Sequence, residues 1–224
     1  MNYIFHKKMK ILCFDTETTG LIQRGDFGVK LYPHILQISW MVYDTVEEYI
    51  TTKYDTYISI PDDVPISEKS IEIHGITRKK CKRYGLPIDM VLKHFYSDVQ
   101  NVDIIIAHNL SFDKAILEKE YERNNLLDPF RDLLPQQMYC TMRNNIEKCN
   151  LPNRKYPKLS ELHQYLFPED NSFLESGMLH DSYMDTILTL RCYLFQEHQI
   201  DIREYIQPLI KSETNIDRKS TRLN

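Results

Sequence analysis

The sequence predicts an α/β fold, a mixed sheet of about five strands with helices on both faces, and three observations predict it. Runs rich in β-branched and aromatic residues crowd the N-terminal part, at Ile11 to Phe14, Ile35 to Tyr43 and Tyr49 to Ile60. Beyond them, apolar residues at 88, 91, 92, 95 and 99 recur at helical spacing. That helix gives way to Val102 to Ala107, a near-continuous apolar run of the kind that a strand buried on both faces displays. The first three strands are expected to be antiparallel neighbours, and the fourth to be of the parallel type.

A chain of 224 residues is long enough for one domain with a proper core. Residues 1–210 are expected to form it, with 211–224 a disordered tail in which 217–224 reads as an artefact derived from a sequencing adapter. Net charge is −4, which argues against holding nucleic acid by bulk positive charge and leaves bound cations and a local basic patch as the means. Five cysteines without a Cys-x-x-Cys pair read as reduced and without structural zinc, hence intracellular. The N-terminal apolar run is interrupted by Asp15, and no stretch approaches the ~20 apolar residues of a membrane span. A soluble protein with no membrane partner is expected.

Taken in order, the first strand ends in Asp15-Thr16-Glu17-Thr18-Thr19-Gly20. Spacing of two along an extended strand puts Asp15 and Glu17 on one face and Thr16 on the other. Thr16 is therefore expected to point away from the acids into the sheet, with its backbone N–H towards a substrate. Leu21 to Pro33, with Gly25 and Gly28, is a long loop and a candidate mobile rim. Ser67 is placed to cap a short helix ending at His74, followed by Gly75-Ile76-Thr77 and by Arg78 to Arg83, a run with five basic residues in six. Helix at Pro87 to Gln100 and the buried strand come next. That strand delivers His108-Asn109-Leu110-Ser111-Phe112-Asp113, where Asn109 or Ser111 can cap a helix reaching about Asn124.

Met138 to Met142 reads as a short edge strand and Asn144 to Pro157 as a polar stretch broken by Pro152 and Pro157. Lys158 to Phe167 returns to helix, with Leu159, Leu162 and Leu166 on one side. After a loop at Asn171 to Gly177, Met178 to Asp185 opens a last helix whose Met184, Ile187, Leu188, Leu194 and Phe195 face inward.

Four carboxylates thus stand at the ends of elements: Asp15, Glu17, Asp113 and Asp185. Brought together they repel one another, a state that bound cations or retained protons relieve. Such a cluster suits two-metal phosphoryl transfer, with Asp15 bridging two Mg²⁺ or Mn²⁺ ions. His180 supplies an imidazole able to take a proton from an attacking water. On one ideal helix it would be rotated by about 140° from Asp185, so it is expected just ahead of the helix.

These residues resemble the DnaQ-like, or DEDDh, 3′–5′ exonucleases of the ribonuclease H-like superfamily. Asp-Thr-Glu-Thr-Thr-Gly (15 to 20) is similar to the first family motif, His-Asn-Leu-Ser-Phe-Asp (108 to 113) to the second, and the pair His180 and Asp185 to the third. Glu72-Ile73-His74-Gly75-Ile76-Thr77 resembles the segment between the first two. The resemblance implies a ribonuclease H-like fold, metal ligation by Asp15, Glu17, Asp113 and Asp185, His180 as general base, and nucleoside 5′-monophosphates as products. It favours the proofreading type that accompanies DNA polymerase III, acting on single-stranded or frayed 3′ ends of DNA. RNA trimming is the nearest alternative. The third motif is of the histidine type, because Asp181 stands where a sister group has tyrosine.

Other candidates carry bland readings as well as sharp ones. His74, Gly75 and Thr77 are candidate contacts to the 3′-terminal nucleotide, or a plain helix end. Arg78, Lys79 and Lys82 either track phosphates or form a solvated helix face. Phe112 stacks on a base or joins the core. Asn109 contacts substrate or, with His108, closes the strand-to-helix turn. A non-catalytic nucleic-acid or polymerase-binding module is the rival from another class, and a pure binder has no use for a self-repelling carboxylate cluster.

Overall fold

The computed structural model describes residues 8–127, 137–170, 180–204 and 208. Strand β1 is Lys10–Thr18, followed by the short β2 (Gln23–Arg24) and β3 (Lys30–Leu31), then β4 (Ile35–Asp44) and β5 (Tyr49–Ser59). Helices α1 (Glu68–His74) and α2 (Arg78–Tyr84) lead to β6 (Leu86–Pro87), α3 (Ile88–Val99), β7 (Ile104–Ala107) and α4 (Leu110–Arg123). Strand β8 (Gln137–Cys140), α5 (Ile146–Cys149), α6 (Leu159–Leu166) and α7 (Ser182–His198) follow, with short 3-10 turns at Asp26–Gly28, Arg143–Asn145 and Pro152–Arg154.

The alternation of β1 builds both faces of the molecule. Ile11 and Cys13 are buried against α6 and α7, together with Met41, Ile104, Ile106, Leu162, Ile187 and Leu188. Leu12 and Phe14 are buried on the opposite face with Trp40, Ile105, Val91, Phe95, Ile116 and Leu117, under α3 and α4. β4 pairs antiparallel with β1 from Lys10↔Asp44 to Glu17↔Gln37, and all ten of its residues are buried. β7 pairs parallel with β1 at Ile11↔Ile104 to Cys13↔Ile106, as its continuous apolar run predicts.

The sheet has six strands in the order β6-β5-β4-β1-β7-β8, with the first three strong runs antiparallel as expected. The sixth, β6, pairs only Leu86 and Pro87 with β5, which is too short to leave a periodic signal. Residues 21–33 are also more ordered than a plain loop. β2 and β3 pair there as a two-stranded ribbon, turning through Asp26–Gly28 with Phe27 and Gly28 at positive φ. The expected loop at 171–177 and the tail 211–224 lie outside the described residues.

Helix boundaries follow local chemistry. Ser67 caps α1 by accepting the Ser70 N–H, and Gly75 ends it at φ 67°, a left-handed turn that glycine adopts without strain. α7 is anchored at its middle by Arg191, 1% exposed, whose guanidinium meets Asp170 at 2.7 Å, Asp201 at 2.7 Å and the face of Phe167 at 3.9 Å. Removing one member of so buried a network would strand the others without compensation.

Candidate active site

Asp15 and Glu17 continue the Ile11–Cys13 face of β1 and so look towards the start of α7, while Thr16 continues the Leu12–Phe14 face towards α4. A bulge between Glu17 and Thr18 ends the regular register with β4 there. Such bulges re-aim side chains at the edge of a sheet. Ser182, the first residue of α7, donates its hydroxyl to the Asp15 carbonyl at 2.7 Å, fastening the helix to the strand.

Asp113 lies buried in the first turn of α4. Its Oδ1 accepts the Thr16 hydroxyl at 2.7 Å and the Thr16 backbone N–H at 3.2 Å. This corrects the expectation for Thr16. Its side chain does leave the Asp15 and Glu17 face, yet it meets the third acid there, and its N–H serves Asp113 instead of facing a substrate. The capping expectation for α4 is also corrected: Asn109 occupies the cap position at φ 67° without a side-chain cap bond, and Ser111 lies inside the helix.

The start of α7 is set by Asp181, whose Oδ1 accepts the N–H groups of Tyr183 and Met184. Its Oδ2 accepts the Gln37 side-chain amide at 3.1 Å, and the same amide nitrogen donates to Asp55 at 2.9 Å. A polar chain thus runs from β5 through β4 to the helix cap beneath the acids. His180 precedes the cap, exposed and at φ 70°. Its backbone N–H bonds the Asp185 carboxylate, and the Asp185 N–H donates to the Asp181 carbonyl at 2.9 Å. One ligand atom from each of Glu17, His180 and Asp185 falls within 4.8 Å of the others.

Electrostatics mark the cluster as short of positive charge. Burial, then the neighbouring Asp113, Asp185, Glu17 and Asp181, pushes the Asp15 carboxyl well above its ordinary range. Burial followed by Asp185, Asp113 and Asp181 takes Glu17 up to about 9. Asp113 and Asp185 are each raised to about 7, again first by burial, with Thr16 and the His180 N–H pulling the other way. Asp185 Oδ1 is buried with no hydrogen-bond partner among the described residues. An oxygen-rich set with an orphaned buried acceptor fits a hard divalent cation.

Several candidate contacts are engaged elsewhere. His74 donates from Nε2 to the Thr18 carbonyl at 3.2 Å and accepts the Ile76 N–H on Nδ1 at 3.0 Å, so its ring ties α1 to the end of β1. Thr77 caps α2 by accepting the Lys80 N–H, and Gly75 closes α1. Arg78 donates to the Pro61 carbonyl at 2.8 Å and to Val64, and both Arg78 and Lys82 pair with Asp62. The basic run thus holds the 61–64 turn, with Lys79 exposed. Phe112 is half-buried against the core under α3 and α4. His108 bonds Thr141 at 2.9 Å and the Pro157 carbonyl at 3.1 Å, and burial lowers it to about 4.

Two residues of this site were missed by sequence reasoning. Asp181 was read only as the absence of tyrosine, although Asp-Ser-Tyr ahead of an apolar run is an N-cap signal. Gln37 is a polar residue inside an apolar strand, on the same face as Ser39, and that interruption was its signal.

The strand order β6-β5-β4-β1-β7-β8, with helices on both faces, is that of a ribonuclease H-like fold. The RNase T exonuclease family matches residues 12–193, and the chain belongs to that family. Among relatives, the PolC-type DNA polymerase III of Listeria monocytogenes is 34% identical over 113 residues, 50% of this chain. That of Streptococcus pyogenes is 33% identical over the same length. The matched part is 7% of the length of these relatives. E. coli exonuclease I in complex with a dT13 oligonucleotide superposes with a TM-score of 0.65 at 16% identity, covering 86% of this chain and 42% of that one. The nuclease domain of 3′hExo, a DEDDh family member bound to rAMP, gives 0.62 at 16%, covering 85% and 94%. A zinc-bound form of the exonuclease I–DNA complex is also similar, with a TM-score of 0.66 at 17% identity, covering 86% of this chain and 42% of that one. No helix among the described residues is long and apolar enough to cross a membrane.

Proposed function

We propose that the protein removes nucleotides from 3′ ends of DNA, releasing nucleoside 5′-monophosphates. The observation that carries this reading is the convergence of Glu17, His180 and Asp185 within 4.8 Å, with Asp15 and Asp113 beside them. Asp15, Glu17, Asp113 and Asp185 would hold two Mg²⁺ or Mn²⁺ ions. Bound there, such ions neutralise developing charge on the attacking and leaving oxygens and orient the water in line. His180, exposed and next to Glu17 and Asp185, takes the proton of that water on a ring nitrogen. Asp181 and Gln37 keep His180 and Asp185 in place from behind. The likeness to PolC-type polymerases supports DNA as substrate and a polymerase as partner in proofreading.

End-labelled single strands of DNA and RNA of matched sequence, with 3′-hydroxyl or 3′-phosphate ends, test this in Mg²⁺, Mn²⁺ and chelator. Shortening of DNA from its 3′ end, block by a 3′-phosphate and silence in chelator are expected. Shortening from the 5′ end, products bearing 3′-phosphates, or full activity in chelator would refute it. Preference for RNA would move the substrate to the alternative.

A further inference from the structure

A cavity of about 510 Å³ opens beside His180 and Asp185, and its other walls include His108, Tyr156, Pro157 and Lys158. The wall is held in shape. His108 bonds the Pro157 carbonyl at 3.1 Å, and Glu161 accepts the Lys158 N–H at 2.7 Å while pairing with Lys155 at 2.8 Å. Tyr156 is 52% exposed, next to the buried Pro157. An aromatic ring so presented beside a cation is the usual platform for an unpaired base.

Charge gives the cavity its direction. The stretch Arg143 to Lys158 carries five cations and one anion. On the other side of the β1 terminus a second cavity, of about 420 Å³, is lined by Thr19, Gly20, Asp63 and Ser67 among others, and by no lysine or arginine. A released terminal nucleotide brings one phosphate, whereas the retained strand brings a phosphate at every step. Of the two linings, only that on the Tyr156 side includes a lysine or arginine, Lys158, to meet that series.

Resting on the exonuclease reading of the site, we infer that the Tyr156–Lys158 cavity binds the nucleotide on the 5′ side of the scissile phosphate. Its base stacks on the Tyr156 ring and its phosphate meets the Lys158 ammonium. This subsite keeps the substrate strand seated while the terminal nucleotide departs.

The test is binding of a 5′-fluorescein-labelled single strand in chelator, followed by anisotropy, with an intact or an abasic penultimate residue. Loss of that base should weaken binding to the wild type by roughly 5- to 100-fold. Tyr156→Ala should weaken binding of the intact strand similarly and show no further penalty for the abasic one, whereas Tyr156→Phe should restore it. Lys158→Gln should lower the salt slope by about 0.7. An equal abasic penalty in wild type and Tyr156→Ala, or no loss in Tyr156→Ala, would overturn the inference. Hydrolysis is measured separately in Mg²⁺. Coupled binding without cleavage would sink the exonuclease reading and leave the subsite, and cleavage without the coupling would do the reverse.

Discussion

Thr16 and Asp113, 97 residues apart, are joined by two hydrogen bonds to one carboxylate oxygen, from the hydroxyl at 2.7 Å and the backbone N–H at 3.2 Å. The second-motif acid is thereby held by the strand that carries the first motif. Thr16→Val keeps the shape and removes the hydroxyl bond, and should cost about 0.5–1.5 kcal/mol of stability near neutral pH, the range of an ordinary hydrogen bond, since Asp113 at about 7 is only half ionised there. It should also lower kcat more than it raises KM, with Thr16→Ser restoring both. Equal activity of the valine and serine variants would show that the hydroxyl has no positioning role.

The acid cluster ties stability to pH in metal-free buffer. Asp113 and Asp185 at about 7 and Glu17 at about 9 lie above their ordinary values. The folded protein therefore holds more protons than the unfolded chain above the ordinary carboxylate range, and stability falls as pH rises through that window. Asp15→Asn and Asp185→Asn should abolish turnover yet raise the metal-free Tm at about pH 8 by about 2–4 °C. Mg²⁺ should raise the wild-type Tm more than theirs. Scanning calorimetry with and without chelator checks this, and a lower Tm in both variants would count against mutual repulsion.

His180 is outside the packed core, so its loss should spare the fold. His180→Ala should cut the rate by roughly 10² to 10⁴ with little change in substrate affinity, the range for one proton-transfer group. Single-turnover kinetics beside equilibrium binding separate the two. A collapse of binding with unchanged chemistry would make His180 a substrate contact.

His108 answers in the opposite sense to the acids. Burial holds it at about 4, below its ordinary 6.5, so the unfolded chain binds the extra proton between those values. Its contribution is complete above pH 6.5 and is lost as pH falls towards 4, by up to about 3 kcal/mol. Urea unfolding across that range should show a smaller pH dependence in His108→Asn than in the wild type. Equal slopes would assign the acid sensitivity to other groups.

The long strands, the longer helices and the order of the acids along the chain were legible because each is encoded in neighbouring residues, whereas the two-residue strands β2, β3 and β6 and the single turn α5 are too short to leave a pattern. Alternation along Ile11 to Glu17 already decides that Asp15 and Glu17 share one face and Thr16 takes the other. The apolar run Ile104–Ala107 announces a strand covered on both sides, and Ser67 announces its helix by a bond three residues long. Tertiary structure alone decided which partner each polar group takes. His74 is spent on the Thr18 carbonyl 56 residues back, Arg78 on the 61–64 turn, and Asp181 on Gln37 across 144 residues. Sequence periodicity reports the direction in which a side chain leaves the backbone. A hydrogen bond also needs two groups within about 3 Å, and for segments this far apart only the packing of the helices onto the sheet brings them there.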